Sequence, residues 1–119
     1  MTEKELKHRT KQFALRVISL VDALPSTTAG RAIGSQLVRS GTSVGANYRA
    51  ACRGRSRAEF VSKLGTVEEE ADESAYWMEL VVEGSLLPQD RVLPLHQEAD
   101  ELTAIFASSI KSARRKPSE

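Results

Sequence analysis

The 119-residue chain is predicted to be all-α, an antiparallel up-down-up-down four-helix bundle. Three features carry that expectation. Apolar residues recur every three or four positions along four segments, the connections between them are short and marked by Gly or Pro, and no alternation of period two lasts beyond a few residues. The length suits one domain over 1–119, and 40% hydrophobic content is enough for a single core without disulfides or metal.

The first helix is expected over about residues 4–23, where Leu6, Phe13, Val17, Leu20, Val21 and Leu24 share a face. Thr2 and Glu5 form a capping box, the hydroxyl accepting from a free backbone N–H and the carboxylate reaching back. Pro25 ends the helix. The second, about 28–51, starts near Thr28 as N-cap and carries Ile33, Leu37, Gly41, Val44, Tyr48 and Ala51 at spacings of 4, 4, 3, 4 and 3. Gly34, Ser35, Ser40, Gly41, Ser43, Gly45 and Ala46 make this helix poor in isolation, each interior Gly costing about 0.5–1 kcal/mol relative to Ala. Close approach of a neighbouring helix must offset that cost.

Gly54 breaks the chain, and Ser56 with Glu59 forms a second capping box opening a helix over about 57–84. Phe60, Leu64, Val67, Ala71, Ser74, Met78 and Val81 follow as a heptad seam, which favours packing at a shallow angle. Gly84 is the expected stop, and 86–90 the connection. The fourth helix, about 90–114, shows Val92, Leu95, Ala99, Leu102, Phe106, Ser109 and Ala113. Pro94 is compatible only with a helix that begins near Arg91 or kinks there. Lys111, Arg114 and Arg115 suit the negative end of a helix dipole, and 116–119 should fray. We expect Phe60, Leu64, Val67, Ala71, Met78 and Val81 to meet Phe13, Val17, Leu37, Val44, Leu102 and Phe106 in the interior.

The net charge of +1 hides a division into blocks: +2 over 1–30, +6 over 31–63, −10 over 64–101 and +3 over 102–119. Either a basic surface awaits an anionic partner, or the blocks pair with each other within or between subunits; the usual behaviour of charged helix faces favours pairing. Arg49, Arg53, Arg55 and Arg57 cluster where the second helix turns into the third. Such a cluster makes salt-sensitive, sequence-independent phosphate contacts, and a ring of copies would multiply them. Tyr48 alone offers little base stacking, so a sequence-specific RNA reader is not implied. Gln36, Ser40, Ser43 and Asn47 form a polar stripe on the second helix. It is either a ligand contact or, as we favour, a set of hydrogen bonds into the third helix, with Glu70 and Glu73 accepting from Arg39 and Asn47. Tyr48, Trp77 and Leu80 lie off the main seams and are expected to form a subunit interface, since large apolar patches on a monomer mark contacts.

Catalytic and cofactor patterns are sparse. Glu5-Leu6-Lys7-His8 matches the Glu-x-x-His element of di-iron bundles once, and His96 lacks a Glu three residues before it, so both histidines read as surface residues and no metal or other cofactor is expected. Cys52 has Arg53 beside it but no His or acid in sequence to act as base. The run Glu68, Glu69, Glu70, Asp72, Glu73 points around a whole helix. No phosphate-binding glycine loop or nucleophile elbow occurs. We expect no enzyme. A charged N-terminus, a lone cysteine and the lack of a long apolar run give the expectation of a cytoplasmic protein with no membrane contact.

The segment RSGTSVGANYRAACRGRS from Arg39 to Ser56, continuing as RAEFVSKLGTVEEEADESAYWMEL to Leu80, resembles the bacterial four-helix bundle proteins named for intervening sequences of 23S ribosomal RNA. ALRVISLVDALP in the first helix and EADELTAIFASSIKSAR in the fourth extend the resemblance over nearly the whole chain. It implies a bundle that assembles as a homopentamer. Similarity to the accessory variability determinant protein of diversity-generating retroelements adds RNA and a reverse transcriptase as implied partners. The resemblance supplies no catalytic residues. The expected function is therefore a non-enzymatic oligomeric adaptor that binds RNA or a nucleoprotein through Arg49, Arg53, Arg55 and Arg57, the alternative being a protein-interaction scaffold that binds no nucleic acid.

Overall fold

The computed structural model describes residues 1–115 and has four helices: α1 (Glu3–Asp22), α2 (Thr28–Cys52), α3 (Arg57–Glu83) and α4 (Gln89–Arg115). The expected fraying over 116–119 lies outside the described residues. Consecutive helices pack side by side along their lengths, α4 returns to α1 more loosely, and the bundle measures 52 × 20 × 20 Å. Antiparallel order is visible in the cross-helix partners. Gly34 of α2 lies against Val21 of α1 and Gly45 against Thr10, while Arg39 reaches Glu70 of α3 and His96 of α4 reaches Glu79.

Side-chain caps set the helix starts. The Thr2 hydroxyl accepts from the Glu5 N–H at 3.1 Å and donates to the Glu5 carboxylate, so the reciprocal half of the box closes on the hydroxyl. Ser56 accepts from Glu59 N–H at 3.1 Å. Thr27, not Thr28, caps α2, because its extended backbone lets its hydroxyl accept from Gly30 N–H at 3.0 Å. The fourth helix begins at Gln89 and contains Pro94. The carbonyl that Pro94 leaves without an N–H partner belongs to Asp90, an exposed residue.

Of the twelve residues expected in the interior, eleven are buried, and Phe60 is half-buried at the edge of the same core. The core contains a polar contact as well. Ser74 donates to Ser40 at 2.9 Å across α2 and α3, and no buried side-chain polar atom among the described residues is left without a partner. Gly34, Gly41 and Gly45 of α2 face α1. A Cβ at Gly41 would lie 2.8 Å from both γ-carbons of Val17, and one at Gly45 would lie 3.2 Å from the Thr10 hydroxyl. The closest approach that offsets the poor helix propensity of α2 is therefore to α1, while its serine meets α3.

Candidate nucleic-acid interface

Arg49 occupies the last turn of α2, where free carbonyls favour a cation. Arg53 is the C-cap, Arg55 stands in the turn, and both are exposed with Arg49. Arg57 opens α3 and is half-buried. Antiparallel packing adds cations that the linear cluster does not contain. Lys7 and Lys11 of α1 line a groove with Arg49 over a floor of Ala14, Gly45 and Ala46, about 190 Å³ in volume and without an acidic side chain in its lining. Lys7 also pairs with Glu3 at 3.0 Å. Arg114 and Arg115, in the last turn of α4, lie at the same end of the bundle. The recurrence of Lys4, Lys7 and Lys11 at helical spacing was the available sequence signal, and it acquires meaning only once α1 lies antiparallel to α2.

The polar residues divide differently from expectation. Arg39 bonds both acids named for it, donating to Glu70 at 3.2 Å and also to Glu73, while its Nε donates to Gln36 at 3.3 Å. Ser43 and Asn47 do not reach α3. Ser43 donates to the Arg39 carbonyl at 2.6 Å and Asn47 to the Ser43 carbonyl at 2.8 Å, because a short side chain inside a helix finds the carbonyl one turn back first. The acidic run separates by helical geometry. Glu70 and Glu73 face α2, while Glu68, Glu69 and Asp72 line a groove of about 590 Å³ between α3 and α4.

The expected interface patch needs one correction. Tyr48 is 5% exposed and packs against Phe106 with ring centroids 5.3 Å apart, so it belongs to the core; its position in the α2 run at 44, 48 and 51 is the reason. Trp77 is half-buried and donates to Glu73 at 3.0 Å, and Leu80 is half-buried. The exposed aromatic is Tyr76, 53% accessible and edge-on to Trp77. Burial raises the Cys52 thiol above its usual range, which works against a nucleophilic role, and holds the Tyr48 phenol well above the tyrosine range. His8 is exposed as expected, but His96 is not a simple surface residue; its Nε2 lies 2.8 Å from Glu79 and ties α4 to α3. Arg9 likewise ties α1 to α4 by a fork onto Glu98, both contacts 2.7 Å, and a bond to Glu101 at 2.9 Å. Sequence reasoning missed this unit because its members lie at opposite ends of the chain. Among the described residues no three His, Cys, Asp or Glu side chains converge as a metal-binding set, and no helix is long and apolar enough to cross a membrane.

Residues 2–108 match the model of the family described as 23S rRNA-intervening sequence protein. The chain belongs to that family. A crystal structure from Bacteroides thetaiotaomicron, described as a protein with unknown function from the S23 ribosomal protein family, is similar to this intervening-sequence-family chain at 32% identity. The match covers 93% of this chain and 99% of that one, with a TM-score of 0.85. No curated protein matches the chain.

Proposed function

We propose that this family member is a non-enzymatic, homo-oligomeric adaptor of the cytoplasm that binds RNA or a nucleoprotein, such as a reverse transcriptase with its template, through the basic end of the bundle. The observation that supports this is the meeting of exposed Arg49 with Lys7 and Lys11 on a groove that no acid lines, at the end of the bundle where Arg53 and Arg55 are also exposed. The family's name refers to an intervening sequence in 23S rRNA. Phosphate contacts would dominate, since Tyr48 is buried and offers no stacking face. A ring of subunits, five by the family resemblance, would turn several weak phosphate contacts into one strong attachment.

Binding of the full chain to an unstructured and to a hairpin RNA, titrated with salt, tests the proposal. The logarithm of affinity should fall with the logarithm of salt at about 0.7–0.9 per phosphate neutralised. The double variant Arg53→Glu, Arg55→Glu should weaken binding at least ~10-fold and flatten that slope. Affinity indifferent to salt and to the double variant would overturn the proposal. The second reading is a scaffold whose basic end docks in another subunit's α3–α4 groove beside Glu68, Glu69 and Asp72; the net negative lining of that groove, three acids against Arg114, favours it. Absence of RNA binding at every salt concentration would select it.

A further inference from the structure

We propose that the cleft between α1 and α4, at the end of the bundle away from the arginine turn, binds a small organic anion: a phosphate or carboxylate carried on a compact apolar body. Arg16 and Arg91 would hold the anionic group. The cleft is about 230 Å³ and is lined by Arg16 and Ser19 with Leu20 from α1, and by Arg91 and Pro94 with Leu95 from α4. It opens where α1 and α4 lie further apart than the other neighbouring pairs.

Two features set Arg16 and Arg91 against the local electrostatics. They flank one cleft whose lining contains no carboxylate, and among the described residues neither side chain has a hydrogen-bond or ion-pair partner. The α4 acids nearest on the α1 side, Glu98 and Glu101, are occupied by Arg9, two helical turns from Arg16. In addition, Arg91 stands in the first turn of α4, where the helix dipole disfavours a cation, and it is the sole cation among eleven acids over 64–101. Asp90 in the same turn suits the dipole but lines no part of the cleft. A bound oxyanion would relieve both costs at once. Guanidinium forks hold phosphate and carboxylate oxygens with two parallel bonds each, and the exposed Ser19 hydroxyl adds a donor.

The floor gives the second half of the ligand class. Leu20 and Leu95 are core residues whose edges the cleft reaches, and Pro94 presents a rigid apolar ring beside them. A ligand with one ring or a short branched chain next to its anionic group would cover that floor, as small-molecule sites usually combine apolar walls with a few polar anchors. The site is independent of the proposed RNA surface, since α1 and α4 present their other ends to the arginine turn.

Titration of the full chain with phenyl phosphate, followed by backbone amide NMR shifts, is the test. Saturable shifts around 16–20 and 91–95 are expected, with a dissociation constant on the order of a millimolar or tighter. Arg16→Gln and Arg91→Gln should each weaken binding at least ~10-fold, and Arg91→Lys, which keeps charge but not the fork, should weaken it less. Arg55→Gln should leave it unchanged. All these residues are solvent-facing, and the amide spectra report directly that each variant is folded. Unsaturable shifts, or an affinity in both Gln variants equal to that of the unaltered chain, would overturn the proposal. Inorganic phosphate binding as tightly as phenyl phosphate, or phenol doing so, would refute the combined anionic and apolar recognition. Shifts produced by an RNA oligonucleotide and not by phenyl phosphate would reassign the cleft to a polyanion.

Discussion

Ser85 is the one described non-glycine residue with a positive φ, at 58°. It ends α3 in a Schellman arrangement, with Leu86 N–H donating to the Val81 carbonyl at 2.9 Å and Ser85 N–H to the Val82 carbonyl at 3.0 Å. Gly84, the expected stop, has an ordinary φ of −83°. Glycine stands there for space, because a Cβ would lie 2.8 Å from the Leu80 carbonyl oxygen. The left-handed position thus falls on a residue that has a Cβ, and Ser85→Gly should raise unfolding free energy by about 0.5–1 kcal/mol. A urea midpoint that rises with the m-value unchanged is the expected result; a fall would mean that the serine side chain stabilises the turn by more than its backbone conformation costs.

At the scale of the helix, α2 and α3 give opposite answers to the same substitution. Gly41→Ala should destabilise by about 1–3 kcal/mol, because the new methyl group meets the stiff β-branched Val17 and the gain in helix propensity does not offset overpacking. Gly65→Ala should stabilise by about 0.5–1 kcal/mol, since nothing lies within 4 Å of its would-be Cβ and only the backbone entropy changes. Thermal unfolding of the two variants side by side checks the pair. Helix spans were legible in the sequence to within a residue or two because caps and apolar spacing are local signals: Ser56 with Glu59 marks the start of α3, and the run from Leu64 to Val81 marks its buried face. The partner of each small residue was not legible. Gly41 and Ser40 are consecutive, yet one meets α1 and the other α3, because successive helical residues point about 100° apart.

The whole molecule carries a charge separation that the linear blocks only partly foreshadow. Antiparallel packing gathers the first half of α1, the α2–α3 turn and the end of α4 at one end, where Lys7, Lys11, Arg49, Arg53, Arg55 and Arg115 stand, while Glu68, Glu69 and Asp72 line a flank between α3 and α4 with Arg114 as its one cation. A surface so divided favours head-to-tail contacts, and a head-to-tail contact whose rotation closes makes a ring. Sedimentation at micromolar concentration should show a discrete assembly, five subunits of 13.1 kDa each by the family resemblance. A species of single-subunit mass would refute self-association, and a dimer would refute the fivefold ring alone. Tyr76→Ser should lower the assembled fraction and leave the subunit's stability within about 0.5 kcal/mol, because the ring is exposed and carries none of the core.

What the sequence determined by itself is the set of interactions that act within a turn or two: four helices with their caps, the heptad face of α3 and the arginine cluster at 49–57, with the pairing of Arg39 to acids on the adjoining helix as the one longer-range contact it also foretold. What only the tertiary structure decided are the meetings between residues far apart in the chain. Arg9 forks onto Glu98, Lys7 and Lys11 join Arg49, Arg16 faces Arg91 across a cleft, and Tyr48 turns inward to Phe106. Periodicity tells which side of a helix is buried, but the neighbour it is buried against depends on how the helices rotate to fill one shared interior at crystal-like density. That choice is made by all four apolar faces together and by no single segment.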